Sequence, residues 1–138
     1  MKVNRKQVGG EHYEKMSIQP IELYELFSLD AFQGPILKYV SRHRAKNGIQ
    51  DLLKAIDYCD EAINYNHKPL VKFTEIVSYH SKALSIYCNQ FKSSLNSDHS
   101  LKTLRKIITS LILGDWVSCK EQIKLLIYSE YDVDLDKV

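Results

Sequence analysis

Proline and glycine are scarce in this sequence, three and five in 138 residues. With 44% hydrophobic and 26% charged residues, that scarcity fits a globular protein with a real core and leaves no room for low-complexity tracts. No long hydrophobic run exists. The longest apolar stretch, Ile107 to Leu113, is far too short to span a bilayer, and MKVNRKQVGG has no apolar run that would serve as a signal peptide. Charge of one sign is missing as well. The net charge is only +2, so the whole chain makes no demand for nucleic acid. Cysteine is sparse and odd in number. Cys59, Cys88 and Cys119 are far apart and each lies in an apolar helical stretch, so they read as reduced core thiols rather than disulfides or metal ligands. A cytoplasmic protein with no membrane partner is expected.

Several enzyme signatures are also absent. There is no GxxxxGK[ST] loop, no Gly-rich dinucleotide loop, no HExxH, no CxxC pair and no GxSxG. These absences exclude the best-known nucleotide-binding and hydrolase designs.

What is present reads as all-α. Residues 1–11 are polar and are expected to form a flexible arm. The pattern then predicts helices over Pro20–Leu29, Pro35–Arg44 and Ile49–Tyr65, the last with an inward stripe of Leu52, Ile56, Cys59 and Ile63. After Pro69, three more are predicted: Leu70–Phe91, a helix capped by Ser100 and running to Leu113, and Trp116–Tyr128 capped by Asp115. The chain thus divides into an arm (1–11), a three-helix unit (12–68) and a helical extension (69–138). Apolar stripes on the first two helices of the extension point to a homo-oligomer. Glu130, Asp132, Asp134 and Asp136 read as a solvated acidic tail.

One stretch concentrates chemistry: Lys38, Tyr39, Arg42, His43, Arg44 and Lys46 lead into the Asn47-Gly48 turn and the helix that holds Asp51. Lys38 and Arg42 are four apart and share a face. Backbone N–H groups at a helix start attract an anion, and guanidinium groups grip phosphate oxygens bidentately. A solvated basic face, with Asp51 merely stabilising the helix start, is the plainer reading of the same residues.

The words His12-Tyr13, Ile18-Gln19-Pro20-Ile21-Glu22, Lys38-Tyr39-Val40 with Arg42 and Arg44, Lys46-Asn47-Gly48-Ile49, and Asp51-Leu52 with Lys54-Ala55 and Tyr58 follow one order. That string resembles a bacteriophage family long known as a domain of unknown function. One member is a nucleotide kinase without a Walker loop, and others are sensitivity factors for an abortive-infection system. The resemblance implies a kinase acting on (deoxy)nucleoside monophosphates, with Mg2+ and a nucleoside triphosphate donor. It implies catalytic roles for Asp51, Lys54 and His12. Substrate and phosphate contacts would come from Tyr13, Gln19, Lys38, Tyr39, Arg42, Arg44, Lys46 and Gly48, and metal contacts from Asp51 and Asp57. Two other readings stay open. One is a non-catalytic oligomer that captures a nucleotide or engages a host defence protein. The other is a magnesium-dependent pyrophosphohydrolase using Glu22, Glu25, Asp57 and Asp60.

Overall fold

The computed structural model describes residues 17–73 and 78–137, apart from the side chains of Ser78 and Tyr79. Among these residues there are six α-helices and no strand: α1 (Pro20–Phe27), α2 (Gln33–Arg42), α3 (Ile49–Asn64), α4 (Ser78–Asn89), α5 (Asp98–Leu113) and α6 (Trp116–Tyr131), followed by a 3-10 turn at Leu135–Lys137.

Local chemistry sets most of the boundaries. Pro20 occupies the first turn of α1, where its missing N–H leaves nothing unpaired, and the Glu22 carboxylate accepts from the Gln19 N–H at 2.6 Å. Helix α2 begins two residues before Pro35 because Asp30 Oδ1 accepts from the Phe32 and Gln33 N–H groups at 2.9 and 3.0 Å. It also ends earlier than expected, at Arg42, where the chain turns and the Gly48 N–H donates back to the His43 carbonyl at 2.7 Å. Gly114, with φ of 76°, closes α5, and Asp115 caps α6 through the Ser118 N–H at 3.1 Å, both as the sequence predicts. The cap of α5 is Ser97 rather than Ser100. Ser97 Oγ accepts from the Ser100 N–H at 3.1 Å, while Ser100 itself is buried and hydrogen-bonds Ser129 at 2.7 Å.

Helix α6 packs against both α5 and α3, and α2 against both α3 and α5. One continuous core results, drawing Leu23, Leu37, Leu52 and Cys59 from before Pro69 and Leu84, Tyr87, Ile107 and Ile127 from after it. Each fully buried Leu or Ile contributes roughly 1.5–3 kcal/mol. Two expectations need correcting. Ala62, not Ile63, completes the inward stripe of α3, and Ile63 is exposed because α3 turns its Leu52–Ala55–Cys59–Ala62 line toward α6 and α2. Helix α4 starts at Ser78, and residues 70–73 are not helical. Leu70 and Val71 are exposed and have no core to cover, and Ile76 and Val77 lie outside the described residues. The α5 stripe of Leu104, Ile107, Ile108 and Leu111 is consumed within the chain, so it offers no face to a second copy.

All three cysteines are free and buried. Burial pushes the Cys88 thiol up to about 12, and a hydrogen bond to Cys59, together with burial, also raises Cys119 well above the ordinary thiol value. At neutral pH Cys88 and Cys119 are therefore unreactive core groups.

Candidate functional site

On the outer side of α2 and α3, three cations surround one half-buried aromatic ring. Arg42 Cζ lies 4.8 Å from the Tyr39 ring centroid, Lys38 Nζ 5.3 Å and Lys54 Nζ 5.6 Å. The spacing of Lys38, Tyr39 and Arg42 along α2 and the packing of α3 beside it create this cluster. The Tyr58 ring stands 6.2 Å away at a 32° tilt, which adds a second aromatic surface. Lys38 and Lys54 form no ion pair among the described residues. Cation–π attraction holds such ammonium groups near the ring but does not neutralise them, so their charge stays open to an anion.

Arg42 has a different task. Its Nη2 and Nε donate to the two oxygens of Asp51 at 3.1 and 3.3 Å, and the Asp51 side chain is completely enclosed. Asp51 also accepts from the Asn47 backbone N–H at 3.2 Å. Burial alone would raise this carboxyl, but the Arg42 and Asn47 hydrogen bonds outweigh it and hold the group below the ordinary aspartate value. The anion at the start of α3 is therefore the protein's own carboxylate.

The turn between α2 and α3 is fastened to the far end of the chain. Arg44 Nε donates to Glu130 Oε1 at 2.8 Å and Arg44 Nη2 to the Glu130 carbonyl at 2.9 Å, while the guanidinium stacks 4.6 Å over Tyr131. His43 Nδ1 meets the Tyr131 hydroxyl at 2.7 Å, and the same ring packs against Gly48, whose φ of 59° favours glycine. His43 is 2% exposed, and burial lowers it to about 4, so it stands neutral at pH 7. Burial would raise Glu130, but hydrogen bonds from Ser100, Asn96 and Arg44 hold it low. Glu130 thus departs from the expected solvated tail: it is buried, because Arg44 and the Asn96 N–H, at 2.8 Å, draw it inward.

The other expected site residues are scattered. His12 and Tyr13 lie outside the described residues. Gln19 sits at the start of α1, Lys46 is exposed on the turn, and Asp57 points outward from α3. Asp51 and Asp57 do not form a magnesium site by themselves, since the oxygens of the first are already committed to Arg42 and Asn47. No group of three or more His, Cys, Asp or Glu side chains able to hold a metal occurs among the described residues. The carboxylates of the pyrophosphohydrolase reading are not brought together: Glu22 caps its own helix and Asp60 pairs with Lys120 at 2.6 Å. Sequence reasoning missed Glu130 and Tyr131, whose partners lie 86 and 88 residues away, a distance no local pattern encodes. Tyr58 carried a signal, its place in the motif string, without an assigned role.

Neither the curated proteins nor the solved structures compared contain a match to this chain. The segment that supplies α1, α2, the basic turn and most of α3 does match a known family. Residues 7–60 carry a DUF3310 domain, described as a protein of unknown function.

Proposed function

We propose that this protein binds a nucleoside phosphate on the Tyr39 face and phosphorylates it, with a nucleoside triphosphate as donor. One observation carries the binding step: two lysines and an arginine converge on a half-buried tyrosine, and no acid pairs with the lysines among the described residues. The base stacks on the Tyr39–Tyr58 aromatic surface, and Lys38 and Lys54 take the phosphates. Phosphoryl transfer asks a protein mainly for positioning and positive charge at the transferring group, which this cluster offers. A divalent ion would arrive on the triphosphate's own oxygens and needs no carboxylate cage. Asp51 is then a positioning residue that aims Arg42, in place of the catalytic residue or metal ligand implied by the resemblance.

A second reading, capture of a nucleotide without turnover, is favoured by the same enclosure of Asp51, whose carboxylate is committed to Arg42 and Asn47. One experiment separates the two. Wild type, Lys38→Ala/Lys54→Ala and Tyr39→Ala are titrated with a deoxynucleoside monophosphate, then incubated with ATP and magnesium and chromatographed. Each lost charge-assisted contact costs about 1.5–3 kcal/mol, so the double variant should bind at least tenfold more weakly. Its unfolding midpoint should stay near wild type, because neither lysine is buried. Unchanged affinity removes the site. New diphosphate establishes the kinase, and binding without product establishes capture.

A further inference from the structure

A second basic cluster lines a cavity between α5 and α6. Lys102, Arg105 and Lys106 stand at positions i, i+3 and i+4 of α5 and so share one face, above a cavity of about 440 Å³. None of the three forms an ion pair among the described residues, and no carboxylate lines the cavity. Arg105 is held in place from α4: its guanidinium donates to Ser85 and, at 3.1 Å, to Ser81. Neutral hydroxyls orient the group without cancelling its charge, and only two of the five N–H donors of an arginine are used this way. On the same lining, Ser110 Oγ and Ser118 Oγ lie 3.2 Å apart. Whichever donates, one hydroxyl hydrogen remains for a ligand oxygen, and Thr109 and Gln122 add further polar groups.

From these observations we infer that the α5–α6 cavity binds a phosphorylated small molecule. Three cations without a carboxylate partner, lining one cavity with hydroxyl groups, suit an oxyanion with several oxygens, and the volume falls in the ordinary range for small ligands. A nucleic-acid backbone fits less well, because the cations end at a cavity walled by α6 and the chain as a whole carries only +2. The cavity shares no residue with the Tyr39 face, so the two proposals stand or fall separately.

Inorganic pyrophosphate titrated into the full chain at constant ionic strength, followed by amide NMR, tests this. Saturable shifts are expected at Lys106–Ser110 and Ser118–Gln122. Lys102→Ala/Lys106→Ala, both exposed positions, should weaken that binding roughly tenfold or more with unchanged helix content. Arg105→Lys keeps the charge but loses the fork, and should weaken it several-fold. Lys38→Ala/Lys54→Ala should leave these shifts as in wild type. Shifts that do not saturate, an affinity indifferent to Lys102 and Lys106, or a single-stranded oligonucleotide that displaces pyrophosphate at lower concentration would each overturn the assignment.

Discussion

Replacing Arg42 by Ala tests whether the Arg42–Asp51 pair is structural. Asp51 is fully enclosed and the Arg42 side chain is 15% exposed, so the substitution strands a carboxylate with only its Asn47 contacts. Breaking a buried pair in this way costs about 3–5 kcal/mol. Water entering through the Arg42 opening and the surviving 3.2 Å bond from Asn47 reduce that to about 2–4 kcal/mol here. Asp51→Asn should cost less, about 1–2 kcal/mol, because the stranded guanidinium reaches solvent and the amide oxygen still accepts from Asn47. The pH dependence follows from the direction of the shift. In wild type the carboxyl is held below its ordinary value, so its stabilisation is present above about pH 4 and is lost only as pH falls through the lower folded value. Without Arg42, burial dominates and raises the carboxyl, so protonation relieves the penalty as pH falls toward 4. Urea unfolding by circular dichroism at pH 7 and pH 4.5 should show the gap between Arg42→Ala and wild type shrinking at the lower pH. Loss of Tyr39 stacking does not titrate in that window and cannot mimic the effect. A gap under 1 kcal/mol at pH 7, or one of equal size at both pH values, would refute the structural role.

Two further outcomes follow from the fold. Because burial lowers His43 to about 4 from an ordinary 6.5, its contribution is complete above pH 6.5 and falls away toward pH 4, by up to about 3 kcal/mol. His43→Gln should flatten that slope in urea midpoints taken from pH 7.5 to 5. Gly114→Ala combines a φ of 76° with a Cβ 2.7 Å from the Pro69 ring, so the thermal midpoint should drop by several degrees, corresponding to about 1–3 kcal/mol.

Much of the helical layout was legible because it is written locally. The breaks at Gly48 and Gly114, the Asp115 cap and the Leu52–Ile56–Cys59 stripe all rest on neighbours within a turn or two. The errors share a cause too. Ser97 and Ser100 are chemically equal caps, and only the docking of Ser100 onto Ser129 decides between them. Ala62 displaces Ile63 because the side of α3 that packs within the core carries Ala62 and leaves Ile63 at the surface, a tertiary outcome that hydropathy does not contain. The site was legible as a dense basic stretch but not in its division of labour. Which cations are neutralised internally depends on Asp51, which was in view, and on Glu130, which looked like part of a solvated tail. Lys54 joins Lys38 and Tyr39 because α2 and α3 pack side by side, and the sequence alone placed it only on a separate helix.

The long reach of Arg44 and His43 to Glu130 and Tyr131 has a consequence for synthesis. A ribosome releases the basic turn well before the residues that fasten it, which follow 86 and 88 positions later. Until α6 emerges, Arg44 has no carboxylate, Gly48 no ring against it, and the apolar lines of α2 and α3 no complete partner. Contacts of such high sequence separation slow folding, since the loop must close before they repay its entropy. A nascent chain therefore carries the letters of the basic turn long before it has its shape, and a stall anywhere before α6 leaves that turn without its clasp.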